Sequence, residues 1–242
     1  MTLQLQRRQL RGRFGLKGPR AAQWLASHGI IVPESPNTWA YSPAAGHEVG
    51  FSKEARGHDA VRMSDEAHGG DAVRMSDEAL FVARLGIGEF FLEDLAGGTW
   101  LRSLEPAAHA HPPGVYPVLR EDAAYSLSGE GAADVLAQVC NIDFAAYKLN
   151  SQPIIMTLMI GVAVLVAPQP SGTGRRYWIW CDPSFGPCLE ESLIAVVRDG
   201  GGSFAIAPRL FPPQDVYHPR NSSGMSVKHS SVVPSVKRTA PK

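Results

Sequence analysis

One thirteen-residue pattern stands twice in this chain, and that recurrence limits the fold more than any other feature. Residues 14–26 read FGLKGPRAAQWLA, and residues 125–137 read YSLSGEGAADVLA. Six positions are identical: Leu16/Leu127, Gly18/Gly129, Ala21/Ala132, Ala22/Ala133, Leu25/Leu136 and Ala26/Ala137. Phe14/Tyr125 and Trp24/Val135 keep apolar character. Each copy reads as a strand, a glycine turn and a helix. Phe14 and Leu16 follow the strand period of two. Gly18 and Gly129 let the backbone turn tightly, and Pro19 suits a first helical turn, where its missing N–H costs little. Ala21, Trp24, Leu25 and His28 then fall on one helix face, as do Ala132, Val135, Leu136 and Val139.

The segments after the two copies also match. After the first helix come strands over 80–85 and 89–93, a hairpin across Gly86-Ile87-Gly88. A short helix over 100–104 comes next, with Thr99 as its N-cap. After the second helix come strands over 156–166 and 176–181, joined by the turn-rich PQPSGTG. A helix over 185–198 completes this half, stopped by Gly200 to Gly202. Each half is therefore β-α-β-β-α, over about 8–105 and 115–207. Two such halves predict an α+β fold of two pseudo-repeats with mainly antiparallel sheets.

A second recurrence is of another kind. GHDAVRMSDEA (57–67) is followed by GGDAVRMSDEA (69–79). So close a match reads as a recent tandem duplication in a surface loop, where added length costs little closure entropy. From 208 onward the chain is rich in Pro, Ser, Val and Lys without periodicity, and reads as a disordered basic tail. Six basic residues there face only Asp215, while the whole chain balances 23 basic against 23 acidic residues. The body is thus mildly acidic, which argues against a broad nucleic-acid surface. Three cysteines, Cys140, Cys181 and Cys188, are few for a disulfide scaffold. The N-terminus carries no apolar signal core. The apolar run over 154–167 is shorter than the roughly 20 residues of a membrane helix and reads as a buried strand. A soluble, cytoplasmic protein with no membrane and no nucleic-acid partner is expected.

Familiar catalytic signatures are missing from the sequence. Gly86-Ile87-Gly88 fails as a dinucleotide fingerprint, because Phe91 stands where the third glycine belongs and strand residues come after it. His109 and His111 sit in a proline-rich stretch without nearby Cys or carboxylate partners, a poor metal site. Cys181 and Cys188 match neither a zinc knuckle nor a redox pair, and read as small buried residues. The most site-like segment is Asp182-Pro183-Ser184, a strand-to-helix corner. The helix after it offers free N–H groups to an anion, though Asp182 or Ser184 serves equally as the helix cap. Trp178 and Trp180 alternate with Tyr177 and Ile179, so both strand faces are apolar and need covering, by the chain's own helices or by a partner. Trp178, Trp180, Asp182 and Ser184 are therefore the candidate partner-interface or anion-corner residues. No catalytic and no metal residue is assigned.

Several segments carry a family resemblance: residues 13–19 (RFGLKGP) with Ala21-Ala22 and Trp24-Leu25, then Pro36-Asn37 and Trp39, then RLGIGEFFLED over 84–94. In the second half they are Pro117-Val118 through Asp122, Leu127 and Gly129, Cys140 with Asp143-Phe144, Met156-Thr157, and 178–193 with Asp182-Pro183 and Gly186. In order and spacing, over about residues 8–207, the chain resembles the gamma subunits of heterotetrameric sarcosine oxidase. It is similar more widely to the aminomethyltransferase (T-protein) folate-binding superfamily. The resemblance implies a complex of alpha, beta, gamma and delta subunits that demethylates sarcosine oxidatively to glycine and passes a one-carbon unit to tetrahydrofolate. It implies FAD, FMN, NAD and tetrahydrofolate in the complex, none bound by this chain alone, and a non-catalytic gamma subunit in one-carbon metabolism. The alternative is a free-standing folate-binding or aminomethyltransferase-like protein. That reading needs a carboxylate placed to stabilise an amine, and the chain lacks the K-G-C-Y-x-G-Q-E signature of the folate-binding iron–sulfur maintenance proteins.

Overall fold

In the computed structural model the described residues are 2–9, 11–43, 79–95, 99–172 and 174–207. The duplicated loop, apart from Ala79, and the basic tail from 208 lie outside them. The elements run β1 (Gln4–Arg7), β2 (Arg13–Lys17), α1 (Ala21–Ser27), β3 (Thr38–Ser42), β4 (Leu80–Gly86), β5 (Glu89–Asp94) and α2 (Thr99–His109). They continue with β6 (Tyr116–Leu119), β7 (Ala123–Ser128), α3 (Ala132–Val139), β8 (Ile155–Met159), β9 (Val162–Ser171), β10 (Gly174–Cys181), α4 (Gly186–Asp199) and β11 (Ser203–Ile206).

The strands form two sheets, ordered β3-β4-β5-β2-β6 and β8-β9-β10-β7-β1-β11. All pairings are antiparallel except β1 with β11. The two orders are the same through β2 and β7, as the recurrent sequence requires. Among the described residues the first half (8–105) holds one strand more than the pattern suggested, β3, and the second half (115–207) holds three more, β6, β8 and β11. The strand expected over 156–166 is a hairpin. Ile160 (φ 51°) and Gly161 (φ 77°) turn the chain between β8 and β9. Such a turn normally announces itself with Asn-Gly or Asp-Gly, and a β-branched residue at positive φ gives no such signal.

The halves also trade strands. β1 precedes β2 in sequence but pairs with β7, aligning Leu5 with Leu127. β6 precedes β7 but pairs with β2, aligning Pro117 with Leu16. Each repeat's leading strand is thus completed in the other repeat's sheet. β1 lies ahead of residue 8, so the first repeat starts earlier than its sequence boundary.

The recurrent glycines make this exchange possible. A β-carbon on Gly18 (φ 129°) would lie 2.2 Å from the Gly114 carbonyl oxygen, and one on Gly129 (φ 103°) 2.3 Å from that of Thr2. Gly114 and Thr2 stand two residues ahead of β6 and β1, the exchanged strands. The spacing shared by the two copies therefore reflects backbone-to-backbone packing as well as a turn.

Helices cover the outer face of each sheet. Ala21, Leu25, Leu101, Leu104 and Ala108 of α1 and α2 pack on Phe14, Leu16, Leu80, Val82, Phe90 and Leu92. Leu136, Val139, Leu189, Leu193 and Val197 of α3 and α4 pack on Leu127, Val164, Val166, Tyr177 and Ile179. The inner faces meet through Trp39, Phe81, Ala83 and Phe91 on one side and Ala124, Leu165, Ala167, Trp178 and Trp180 on the other. The order of layers is helix, sheet, sheet, helix. The edges of the two sheets are tied where Thr38 bridges Pro153, with Trp39 N–H donating to Gln152 at 2.9 Å and Ile154 N–H to Asn37 at 2.8 Å.

The helix expected over 100–104 extends to His109 and continues through Pro106. Its start is capped from a distance: Asp94 Oδ2 accepts the N–H groups of Trp100 (2.7 Å) and Leu101 (3.1 Å).

Gly129→Ala is expected to destabilise the chain well beyond the ~1–2 kcal/mol that a left-handed conformation alone imposes on alanine, because the Thr2 backbone must also move. Gly29→Ala, with positive φ but open space around it, supplies the conformational cost by itself. Urea unfolding of the two variants checks the difference.

Candidate functional site

The seam between the sheets holds a buried charge cluster that no local sequence pattern announces. Its residues come from the crossover between β1 and β2. Arg8 leaves β1, and Arg13 opens β2. Both reach Glu93 of β5, whose side chain is fully buried. Arg8 grips the carboxylate with two donors, Nη2 to Oε1 at 2.8 Å and Nη1 to Oε2 at 3.3 Å. Trp180 Nε1–H donates to Oε2 at 2.6 Å. Arg13 Nε stands 3.5 Å from the same oxygen, and its Nη1 donates to the Asp122 carbonyl. The Arg8 guanidinium lies over the Trp178 ring, 3.8 Å from its centroid, a desolvated cation–π contact.

The pseudo-repeat explains the arrangement. Gly15 pairs with Phe91 and its counterpart Ser126 with Trp178. Arg13 pairs with Glu93 and its counterpart Ala124 with Trp180. Phe91 and Trp178 are therefore equivalent, and so are Glu93 and Trp180, which hydrogen bond to each other across the seam. Arg120, in the other crossover, lies over Phe91 at 4.8 Å as Arg8 lies over Trp178. Asp122 holds Arg120 through two bonds of 3.0 Å.

Burial pushes the Glu93 carboxyl up, but Arg8, Arg13 and the Trp180 N–H outweigh it and hold it below the usual carboxylate range. Burial lowers Arg8 to about 10, against the attraction of Glu93. Glu93 offers no open face to a substrate, because guanidinium and indole donors occupy both oxygens. Chemically, the cluster clamps the two crossovers to the centre of the seam.

The sequence-predicted residues separate into two groups. Trp178 (5% exposed) and Trp180 (0%) are inside the chain. Trp180 packs on Phe81 and Phe91, each 5.3 Å away between centroids, and Tyr41 and Phe81 meet Trp178 edge-on. The other face of that strand, Tyr177 and Ile179, is covered by α3 and α4. Both faces are thus covered by the chain itself. Asp182 and Ser184 are exposed, in a turn ahead of α4. Asp182 Oδ1 accepts from the hydroxyl and, at 2.8 Å, from the N–H of Ser184. These two bonds, the hydroxyl first, hold Asp182 below its ordinary range. A carboxylate already occupies this corner, and α4 itself is flanked by Phe185 without a side-chain cap.

Other candidates fall apart in space. His109 ends α2 with its ring 6.4 Å from Phe14, and His111 lies in the loop after it at φ 55°. Among the described residues no group of three or more His, Cys, Asp or Glu could hold a metal. Cys140 and Cys181 are buried, and burial raises Cys181 to about 11. Cys188 is exposed on α4 instead of buried, because it lies on the face of the helix opposite Leu189 and Leu193. A shallow open groove of about 400 Å³ runs along α4 past Pro187, Glu191, Ile194 and Arg198.

Glu93→Gln is expected to cost ~3–5 kcal/mol, as it leaves two buried guanidiniums without a countercharge. The folded pKa of Glu93 lies below its ordinary 4.5. Its stabilisation is therefore complete above that value and fades as pH falls through the folded pKa. Urea midpoints measured from neutral pH downward should fall more steeply in the parent than in the Gln variant.

No protein-family model matches the sequence, and no curated protein matches it. Solved structures do match the fold. One is a chain of heterotetrameric sarcosine oxidase from Corynebacterium sp. U-96, in complex with pyrrole 2-carboxylate. It has a TM-score of 0.55 and 19% identity, over 82% of this chain and 85% of that one. Another is the glycine cleavage system aminomethyltransferase T from Bartonella henselae, with a TM-score of 0.52 and 14% identity over 84% of this chain. This chain spans about half, 48%, of the aminomethyltransferase. At these identities the likeness concerns the fold, and the chain has the antiparallel α+β fold found in both proteins.

Proposed function

We propose that this chain is a non-catalytic, gamma-type subunit of a heterotetrameric sarcosine oxidase-like flavoenzyme complex. The observation that carries the reading is the reciprocal coverage. The chain and a chain of the Corynebacterium oxidase match over 82% and 85% of their lengths, so they are of nearly equal size. The resemblance of residues 8–207 to gamma subunits supports the same assignment. So does the seam, whose carboxylate and tryptophans are engaged in holding the chain together. On this reading alpha, beta and delta subunits supply the chemistry, with FAD, FMN, NAD and tetrahydrofolate on those partners. This chain contributes surface, on which the exposed Asp182–Ser184 turn stays available.

The likeness to aminomethyltransferase T supports the alternative of a free-standing folate-binding protein. Calorimetry of the isolated chain with tetrahydrofolate separates the two: saturable micromolar binding favours the alternative.

Affinity capture of the tagged full chain from its native host tests the main reading. Copurifying polypeptides with a flavin absorbance spectrum are expected, along with sarcosine-dependent peroxide formation that the isolated chain lacks. Capture without flavin, or turnover by the isolated chain, contradicts it.

A further inference from the structure

We draw no further inference here: the strongest candidate, the outer edge of β6 with Tyr116 and Leu119 exposed at the place that β11 takes beside β1 in the other sheet, is an unpartnered apolar edge, and nothing in the structure shows what covers it.

Discussion

The exchange of leading strands is the constraint on which the rest of this structure depends. β1 and β6 each complete the sheet of the other half, so neither repeat has a finished sheet of its own. The two crossovers that carry the exchange pass through the seam. There the chain buries Arg8, Arg13 and Glu93 instead of hydrocarbon alone. A buried ion cluster is a poor route to stability compared with well-packed apolar groups. Its value here is positional. The guanidiniums fix two backbone crossings against one carboxylate, and Trp180 fixes that carboxylate from the opposite sheet.

The exchange also sets the character of the interior. In many α+β enzymes the space between layers is where polar groups converge on a substrate. In this seam five aromatic rings, Trp39, Phe81, Phe91, Trp178 and Trp180, fill it. Some of the polar groups among them bond to one another, Glu93 to Arg8 and Trp180, and Tyr41 to Gln169 at 3.1 Å, whereas Trp39 Nε1 and Gln169 Nε2 are buried without a hydrogen-bond partner.

Much of the fold was legible in the sequence because it rests on local pattern. Phe14 and Leu16, the glycines, and the alanine-bearing helices recur with the same spacing and mean the same thing in both halves. The alternation of Trp178 and Trp180 with Tyr177 and Ile179 correctly implied two covered faces. The identity of the cover was not legible, since it depends on which sheet lies opposite. The strand exchange escaped for the same reason: pairing of Leu5 with Leu127 is a contact between distant parts of the chain. β8 was hidden inside a continuous apolar run because Ile160-Gly161 lacks the usual turn chemistry. Glu93, read as one end of a strand, showed no sign of its partners, although Arg8 and Arg13 were visible as a basic N-terminus. The Asp182–Ser184 corner was legible as a turn, and its carboxylate caps that turn itself.

If the exchanged strands and the buried cluster bind the halves into one unit, they must melt together. Differential scanning calorimetry of the full chain measures this directly. The account predicts a single transition whose calorimetric and van't Hoff enthalpies agree, the signature of all-or-none unfolding. Two resolved transitions, one for each repeat, would contradict it.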